Sequence, residues 1–426
     1  MLSALKNNRF FRAVVTLASA SAAGQLIILA AMPYLTRLYA PEAFGVFAVF
    51  SSLMGVVLVV SSLRYELAIP LPAIERNARR LVFISLVINT ATAILALIFV
   101  SFFRFRISEW TDTPLLASFL WLLPVAIMTG GTYKALNYWA IRNKEYGKIA
   151  GTKLLQSSAN VFAQVLGGLA GLGPIGLIVG QIIGQSAGMT KLMKGLRPSH
   201  LWLEASWLHS FSLMSRYRNF LKYDTPASAV NTASAHLPNI AMALIFGPAT
   251  AGLYYLAERI LWVPMSMVGQ AVGQVLFSQT RECIANGTLL NTTLKLFLCL
   301  TLLATLIALP VFFWAEPVFK FIFGEKWSVS GTFASWLVLG LCVQFIYSPL
   351  SMTLLVTGGQ KINLLIHSVI LAMKLLAFYI ASFVDYDVAA VKLLSIALVV
   401  GYGIGTMLVI YDAYKVSHHN SVYNRA

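Results

Sequence analysis

The chain has 426 residues, of which 58% are hydrophobic and 11% charged, with a mean hydropathy of +0.77. An ordinary soluble domain carries about 25% charged residues, so the composition excludes a water-exposed surface for most of the molecule and puts lipid around it. The net charge of +16 does not mark a nucleic-acid binder, because the basic residues sit in short loops between apolar runs rather than on one soluble face.

The apolar runs predict twelve membrane helices, near 13–38, 43–63, 81–103, 115–140, 152–171, 174–193, 223–247, 250–277, 291–313, 331–357, 363–384 and 388–412. Each is close to the roughly 20 residues that cross the hydrocarbon core. Lys6, Arg9 and Arg12 precede the first run, and Ala18-Ser19-Ala20 resembles a signal cleavage site. The run continues to about Leu38, too long for a signal core, so the first helix is expected to be retained. Alternate loops counted from the N-terminus hold 22 of the 31 Lys and Arg residues, and the opposite loops hold 5. This bias places both termini in the cytoplasm of a multi-pass inner-membrane protein, as an even helix count also requires.

The longest connection, 194–222, carries Lys194, Arg197, Arg216, Arg218 and Lys222 on the cytoplasmic side. Its Trp202, Leu203, Trp207, Leu208 and Phe211 suit an amphipathic helix lying in the interface. It separates a six-helix lobe, 1–193, from a second six-helix lobe with a short cytoplasmic tail, 223–426. The lobes read as repeats. Pro41-Glu42-Ala43-Phe44-Gly45-Val46-Phe47 and Pro248-Ala249-Thr250-Ala251-Gly252-Leu253-Tyr254 both follow P-x-x-x-G-x-aromatic at equivalent loops. In each, Pro suits the first turn of the next helix. Parallel repeats of this kind place the substrate site between the halves, near the midplane.

Ionisable residues within a membrane are costly and face a bundle interior or an aqueous cavity. Four basic ones stand out: Lys134, Arg259, Lys374 and Lys392. Glu258 is the acidic residue of comparable depth, so the interior is net cationic and suits an anionic substrate. Lys392 reads as a residue that snorkels to the interface. Lys134 reads equally as a cavity cation or as an interfacial one. Glu258 and Arg259 fit either a substrate role or buried pairing, and Lys374 is the hardest to explain by packing. His236, mid-helix beside Pro238, is a structural histidine or a proton relay. Asp224 caps the seventh helix or binds a coupling cation.

Pro33, Pro124, Pro226, Pro238, Pro264 and Pro349 fall within predicted spans, where freed carbonyls need other partners. Helices five and six are polar for lipid, with Gln156, Ser157, Ser158, Asn160, Gln164, Gln181, Gln185 and Ser186; helix eight adds Gln270 and Gln274. These residues fit tight packing or a wet lining. Tyr133, Tyr138, Trp139, Tyr254, Tyr255 and Trp262 fit sugar stacking or interfacial belts. Cys283, Cys299 and Cys342 read as small apolar fillers. The sequence has no metal-ligand spacing, no nucleotide-binding loop and no long loop carrying paired acids, so no enzyme activity, metal or cofactor is expected.

Tyr34-Leu35-Thr36-Arg37-Leu38-Tyr39-Ala40, running into Pro41–Phe47, resembles the bacterial polysaccharide-repeat flippase family, the O-antigen and exopolysaccharide translocases. Leu63-Arg64-Tyr65-Glu66-Leu67-Ala68-Ile69-Pro70, with Ala78 and Leu81, is similar to a second signature of that family. Asn143-Lys144-Glu145-Tyr146 and Phe323-Gly324-Glu325-Lys326-Trp327 are further similar segments. The family belongs to the superfamily of multidrug, oligosaccharidyl-lipid and polysaccharide exporters. The resemblance implies an all-α V-shaped pair of six-helix lobes and alternating access. It also implies an undecaprenyl-diphosphate-linked oligosaccharide as substrate, for O-antigen (lipopolysaccharide), capsule or exopolysaccharide synthesis, with polymerase and other biosynthetic partners. Arg64 and Glu66 enter as candidates through the motif. Arg64, Lys134, Arg259 and Lys374 form the expected substrate-binding set, and Glu66, Asp224, His236 and Glu258 the expected coupling or relay set, with a proton or sodium ion as the coupled species. The alternatives are a cation-coupled multidrug extruder of the same fold, which would call for acidic cavity residues, and a peptidoglycan-precursor flippase, which would usually need two further helices. A membrane polymerase or ligase would require a substantial periplasmic loop.

Overall fold

The structure, a computed structural model, describes residues 9–194, 207–384 and 386–423. Among these residues it contains helices and no strands. The first six long helices are α1 (Arg9–Leu38), α2 (Pro41–Val60), α3 (Glu75–Trp110), α4 (Leu123–Arg142), α5 (Tyr146–Leu169) and α6 (Pro174–Ser186). The helical stretch Thr225–Ala285 is broken at Gly247, whose φ of 83° and ψ of 173° are non-helical. It therefore holds two helices, α7 (225–246) and α8 (248–285). The last four are α9 (Leu289–Phe323), α10 (Ser328–Leu350), α11 (Gln360–Ala381) and α12 (Asp387–Tyr423).

Nine stretches of the described residues are long and apolar enough to cross a membrane, one of them covering both α7 and α8. The remaining two helices do not stand out by hydropathy: α5 is polar, and α6 has only 13 residues. The order of the twelve helices follows the apolar runs, but the bounds differ where polar residues continue a helix. α3 runs on through Arg104 and Arg106 to Trp110, and α9 passes Pro310 and Pro317 to reach Phe323. Hydropathy marks where lipid ends, and a helix can continue into water. Pro124 proves to lie in the first turn of α4, where a missing N–H costs no hydrogen bond, and Pro226 follows directly on the π-helical turn Phe220–Asp224.

Packing divides the chain into two compact units, Met1–Gly252 and Leu253–Ala426. In the first unit α1 packs on α5, α5 on α6, α6 on α2 and α4, and α3 on α4. The α5–α6 contact is close. A Cβ on Gly184 would lie 2.6 Å from the Asn160 Cβ, and one on Gly176 would lie 3.1 Å from the Gly167 backbone. Polar side chains bridge the helices: Gln164 Nε2 donates to the Leu177 carbonyl at 3.1 Å and Gln156 Nε2 to that of Gln185 at 3.1 Å. Ser51 Oγ on α2 donates to Gln181 Oε1 at 2.7 Å. The glutamines of α5 and α6 therefore hold helices together, as small and polar residues do in lipid.

The two P-x-x-x-G segments touch each other reciprocally. A Cβ on Gly45 would fall 1.7 Å from the Pro248 carbonyl oxygen, and one on Gly252 would fall 1.9 Å from that of Pro41. Only residues without a side chain allow these backbones to meet. Pro41 opens α2 at its first turn.

The α2–α3 connection is fixed in an irregular shape. Leu63 and Arg64 are left-handed (φ 49° and 62°), and Tyr65–Ala68 form a 3-10 turn with Tyr65, Glu66 and Ala68 buried. The Arg142 guanidinium, at the end of α4, donates to the carbonyls of Pro70 (3.2 Å), Pro72 (2.5 Å) and Ala73 (3.2 Å). A helix at Trp207–Arg216 docks on the same region, with Leu213 in the core beside Tyr65 and Ile69, and Tyr65 Oη donating to the Met214 carbonyl at 3.2 Å. This helix carries part of the expected amphipathic segment, with Phe211 exposed and Leu213 buried. Trp202, Leu203, Arg197 and Lys6 lie outside the described residues.

In the second unit α9 packs on α10, and α12 packs on α10 and α11. α8 meets α10 where Gly273 approaches Pro349. α9 turns a stripe of exposed apolar side chains outward, at Leu298, Leu302, Leu306, Leu309 and Phe313, as a lipid-facing helix does. The Lys392 ammonium lies 4.4 Å from the centre of the Trp336 ring, a cation–π contact that accounts for this charge in structural terms.

Two outcomes follow from these contacts. Gly45→Ala and Gly252→Ala should each destabilise the protein by about 1–3 kcal/mol or more, read as an earlier midpoint of thermal unfolding in detergent. Gly147→Ala, where nothing lies within 4 Å, should leave that midpoint unchanged. Arg142→Gln should release the 70–73 carbonyls at a cost of about 1.5–3 kcal/mol, and faster amide exchange across 66–74 would report it.

Candidate functional site

Arg64, Glu66, Lys134 and Asp224 come from separate stretches of the sequence and gather in the first unit. The Lys134 ammonium donates to the Leu58 carbonyl at 2.8 Å. Leu58 lies in the last turn of α2, where carbonyls lack helical partners and the helix dipole is negative. The Ser61 hydroxyl donates to the same oxygen at 3.0 Å. Glu66 is 1% exposed and accepts from Ser62 Oγ at 2.5 Å. Arg64 Nε donates to Asp224 Oδ2 at 2.7 Å. Lys134 lies within electrostatic reach of Glu66 and Arg64. Tyr138, one turn further along α4, lies within reach of Glu66, Arg64 and Asp224.

Asp224 closes a π-helical turn, Phe220–Asp224. With Asn219, Phe220, Tyr223 and Ala227 it lines an open cleft of about 320 Å³.

A second charged group forms in the other unit. Lys374 on α11 is 6% exposed and within electrostatic reach of Glu258 on α8. His367, two turns before Lys374 on α11, feels the same ammonium. Arg259 follows Glu258, and its Nε is buried without a hydrogen-bond partner among the described residues. Tyr254 and Tyr255 lie within electrostatic reach of Glu258. The His367 ring meets Tyr347 edge-on at 6.0 Å, and Tyr347 Oη donates to Asn363 Oδ1 at 2.9 Å.

His236 is placed differently. It packs against α2, where a Cβ on Gly55 would fall 2.4 Å from its Nε2. Among the aromatics, Tyr133, Trp139 and Tyr254 are buried packing residues, not surfaces for a sugar. Tyr133 Oη bonds with Thr152 Oγ1 at 2.9 Å, and the Lys153 ammonium lies 5.4 Å from the Tyr133 ring centre.

Two residues escaped the sequence reading. His367 was signalled by its seven-residue spacing from Lys374, which puts both near one face of α11. Lys153 stands at the very start of the span expected at 152–171, whereas α5 begins at Tyr146 and carries it two turns in. The described residues contain no cluster of three or more His, Cys, Asp or Glu side chains able to hold a metal ion. The two groups can compensate negative charge through Arg and Lys and bind hydroxyls through Tyr and Asn.

Residues 34–331 match the family described as polysaccharide biosynthesis proteins. No curated protein sequence matches the chain significantly. Among solved structures, the lipid II flippase MurJ in an inward closed conformation superposes with a TM-score of 0.73 at 15% identity, over 96% of this chain and 91% of that one. An inward-facing multidrug resistance MATE transporter of the MOP superfamily gives 0.67 at 13% identity, over 94% and 99%. A MOP superfamily transporter from Pyrococcus furiosus gives 0.58 at 13% identity, over 97% of each chain. At these identities the likeness is one of fold, and it joins the twelve-helix architecture to that of multi-pass membrane transporters. The match over most of the sequence assigns the rest: the chain belongs to the polysaccharide biosynthesis protein family.

Proposed function

We propose that the protein flips undecaprenyl-diphosphate-linked oligosaccharide repeat units from the cytoplasmic to the periplasmic leaflet, for O-antigen, capsule or exopolysaccharide assembly. The observation that carries this reading is the pair of cation-bearing groups, Arg64 with Lys134 and Arg259 with Lys374, inside a transporter fold of a polysaccharide biosynthesis family. A diphosphate crossing lipid loses its water. Even one charged side chain at the bilayer centre costs about 2.5–3.5 kcal/mol on insertion scales. Arg259, Lys374 and Arg64 replace that hydration, while Lys134 adds positive charge from its place at the end of α2. The polyprenyl tail stays in lipid as the headgroup passes.

The transport cycle in this reading is alternating access by two lobes, 1–193 and 223–426, joined through 194–222. The excess of Lys and Arg in alternate loops supports an inner-membrane orientation with both termini in the cytoplasm. No ATP is needed. Outward movement of two negative charges from a negative interior gains roughly 5 kcal/mol per 100 mV, and inward movement of a proton or sodium ion adds to it. Glu258, His236, Asp224 and Glu66 are the groups we assign to that coupling. Polymerase and other biosynthetic proteins are the proposed partners. The excess of cations over carboxylates in the Arg259–Lys374 group favours an anionic lipid-linked substrate over a cationic drug.

Deletion of the gene should strand lipid-linked oligosaccharide in the cytoplasmic leaflet and abolish surface polysaccharide, and the wild-type gene should restore both. Normal leaflet distribution in a cell without a second translocase would reject the proposal and turn attention to drug extrusion. Lys374→Ala and Arg259→Ala should each lower export about tenfold or more at normal abundance, the scale of one lost charge-assisted hydrogen bond. Export at the wild-type rate in both variants would remove the cationic groups from the mechanism.

A further inference from the structure

The Arg64–Asp224 pair has properties that a purely structural ion pair does not need. Its side chains are 23% and 41% exposed, so neither partner is enclosed by protein. Its Asp224 lines the cleft together with Asn219, Phe220, Tyr223 and Ala227, and Arg64 meets that carboxylate. Both partners also stand on irregular backbone. Arg64 follows Leu63 in a run of two left-handed non-glycine residues, and Asp224 ends a π-helical turn. Left-handed conformations of bulky residues and π turns are costly and collect at sites where a group must be presented or moved.

The charges around the pair balance while Asp224 is seated. Arg64 and Lys134 are positive, Glu66 and Asp224 negative, and Tyr138 stands within reach of Arg64 and both carboxylates. Glu66 is buried and held by Ser62, and Lys134 is held by the Leu58 carbonyl, so neither is placed to move. Asp224 is the exposed and exchangeable member. An ion pair this exposed is worth only about 0–1 kcal/mol. A diphosphate carries more charge than a carboxylate and offers several oxygens to the guanidinium fork, which suits it to win that competition.

We propose that the cleft beside Asp224 is an anion-exchange site, in which the diphosphate of a lipid-linked substrate displaces the Asp224 carboxylate from the Arg64 guanidinium. The inference rests on the flippase reading for the identity of the anion, and it adds the site and the competing internal group. Asp224 acts as the resting counter-ion of Arg64. The apolar wall formed by Phe220, Tyr223 and Ala227 accepts the non-ionic part of the ligand beside the phosphates. Once Asp224 leaves, the cluster gains one positive charge, which the substrate neutralises.

The test is a binding titration of the full-length protein in phosphatidylcholine nanodiscs. The probes are farnesyl diphosphate, inorganic diphosphate and, incorporated in the disc, phosphatidylglycerol. Asp224→Asn should tighten farnesyl diphosphate binding about fivefold, the release of a pair worth about 1 kcal/mol. Asp224→Glu keeps an internal carboxylate and should stay within about twofold of wild type, which also controls for folding. Arg64→Gln should weaken binding about tenfold or more, and Asp224→Asn should then gain nothing on that background. Unchanged or weaker binding in a well-folded Asp224→Asn protein would overturn the exchange. Inorganic diphosphate binding as tightly as farnesyl diphosphate would overturn the lipid-linked assignment in favour of a soluble phosphate, and an equal response to phosphatidylglycerol would overturn it in favour of bulk lipid. Failure of the wild type to bind any probe also overturns the proposal. Stranding of oligosaccharide in the cytoplasmic leaflet after gene deletion would still leave the flippase reading standing.

Discussion

Hydrocarbon offers no water to a charge or to a free carbonyl, and the arrangement of ionisable groups in this protein follows from that constraint. Lys134 places its ammonium on the Leu58 carbonyl, so one buried charge and one unsatisfied helix end answer each other. Lys392 lies over the Trp336 ring. Arg142 places its guanidinium on the carbonyls of Pro70, Pro72 and Ala73, which lie between the 3-10 turn and α3. These cations are absorbed by structure. Arg64 is paired with a carboxylate instead and Lys374 lies within electrostatic reach of one, and a carboxylate is a partner that another anion can replace.

The same constraint shapes the helix contacts. Lipid gives helices no hydrophobic reason to associate, so close backbone approach and interhelical hydrogen bonds must supply the attraction. α5 and α6 meet through glycines and glutamines for this reason. The two P-x-x-x-G turns take the principle furthest, each glycine admitting the other turn's proline carbonyl. A proline at the start of a helix and a glycine one turn later thus serve two purposes in each copy, opening the helix and allowing the reciprocal contact. The α2–α3 connection is then held from three sides, by Arg142, by the buried Tyr65 and by the Trp207–Arg216 helix. That support keeps Arg64 in a left-handed conformation beside Asp224.

The sequence by itself determined the membrane class and the number and order of helices, because apolar length is a local property. It also singled out the intramembrane charges, since a charged residue in an apolar run is conspicuous wherever the chain goes. Only the tertiary structure decided which of them meet. Arg64 and Asp224 are separated by 160 positions, and nothing in their local pattern links them. It decided too that Gln156, Gln164 and Gln181 bond across to neighbouring helices, and that His367 stands with Lys374. Pairing in three dimensions depends on how helices rotate and cross, which is set by the summed packing of many side chains and not by any short stretch of sequence.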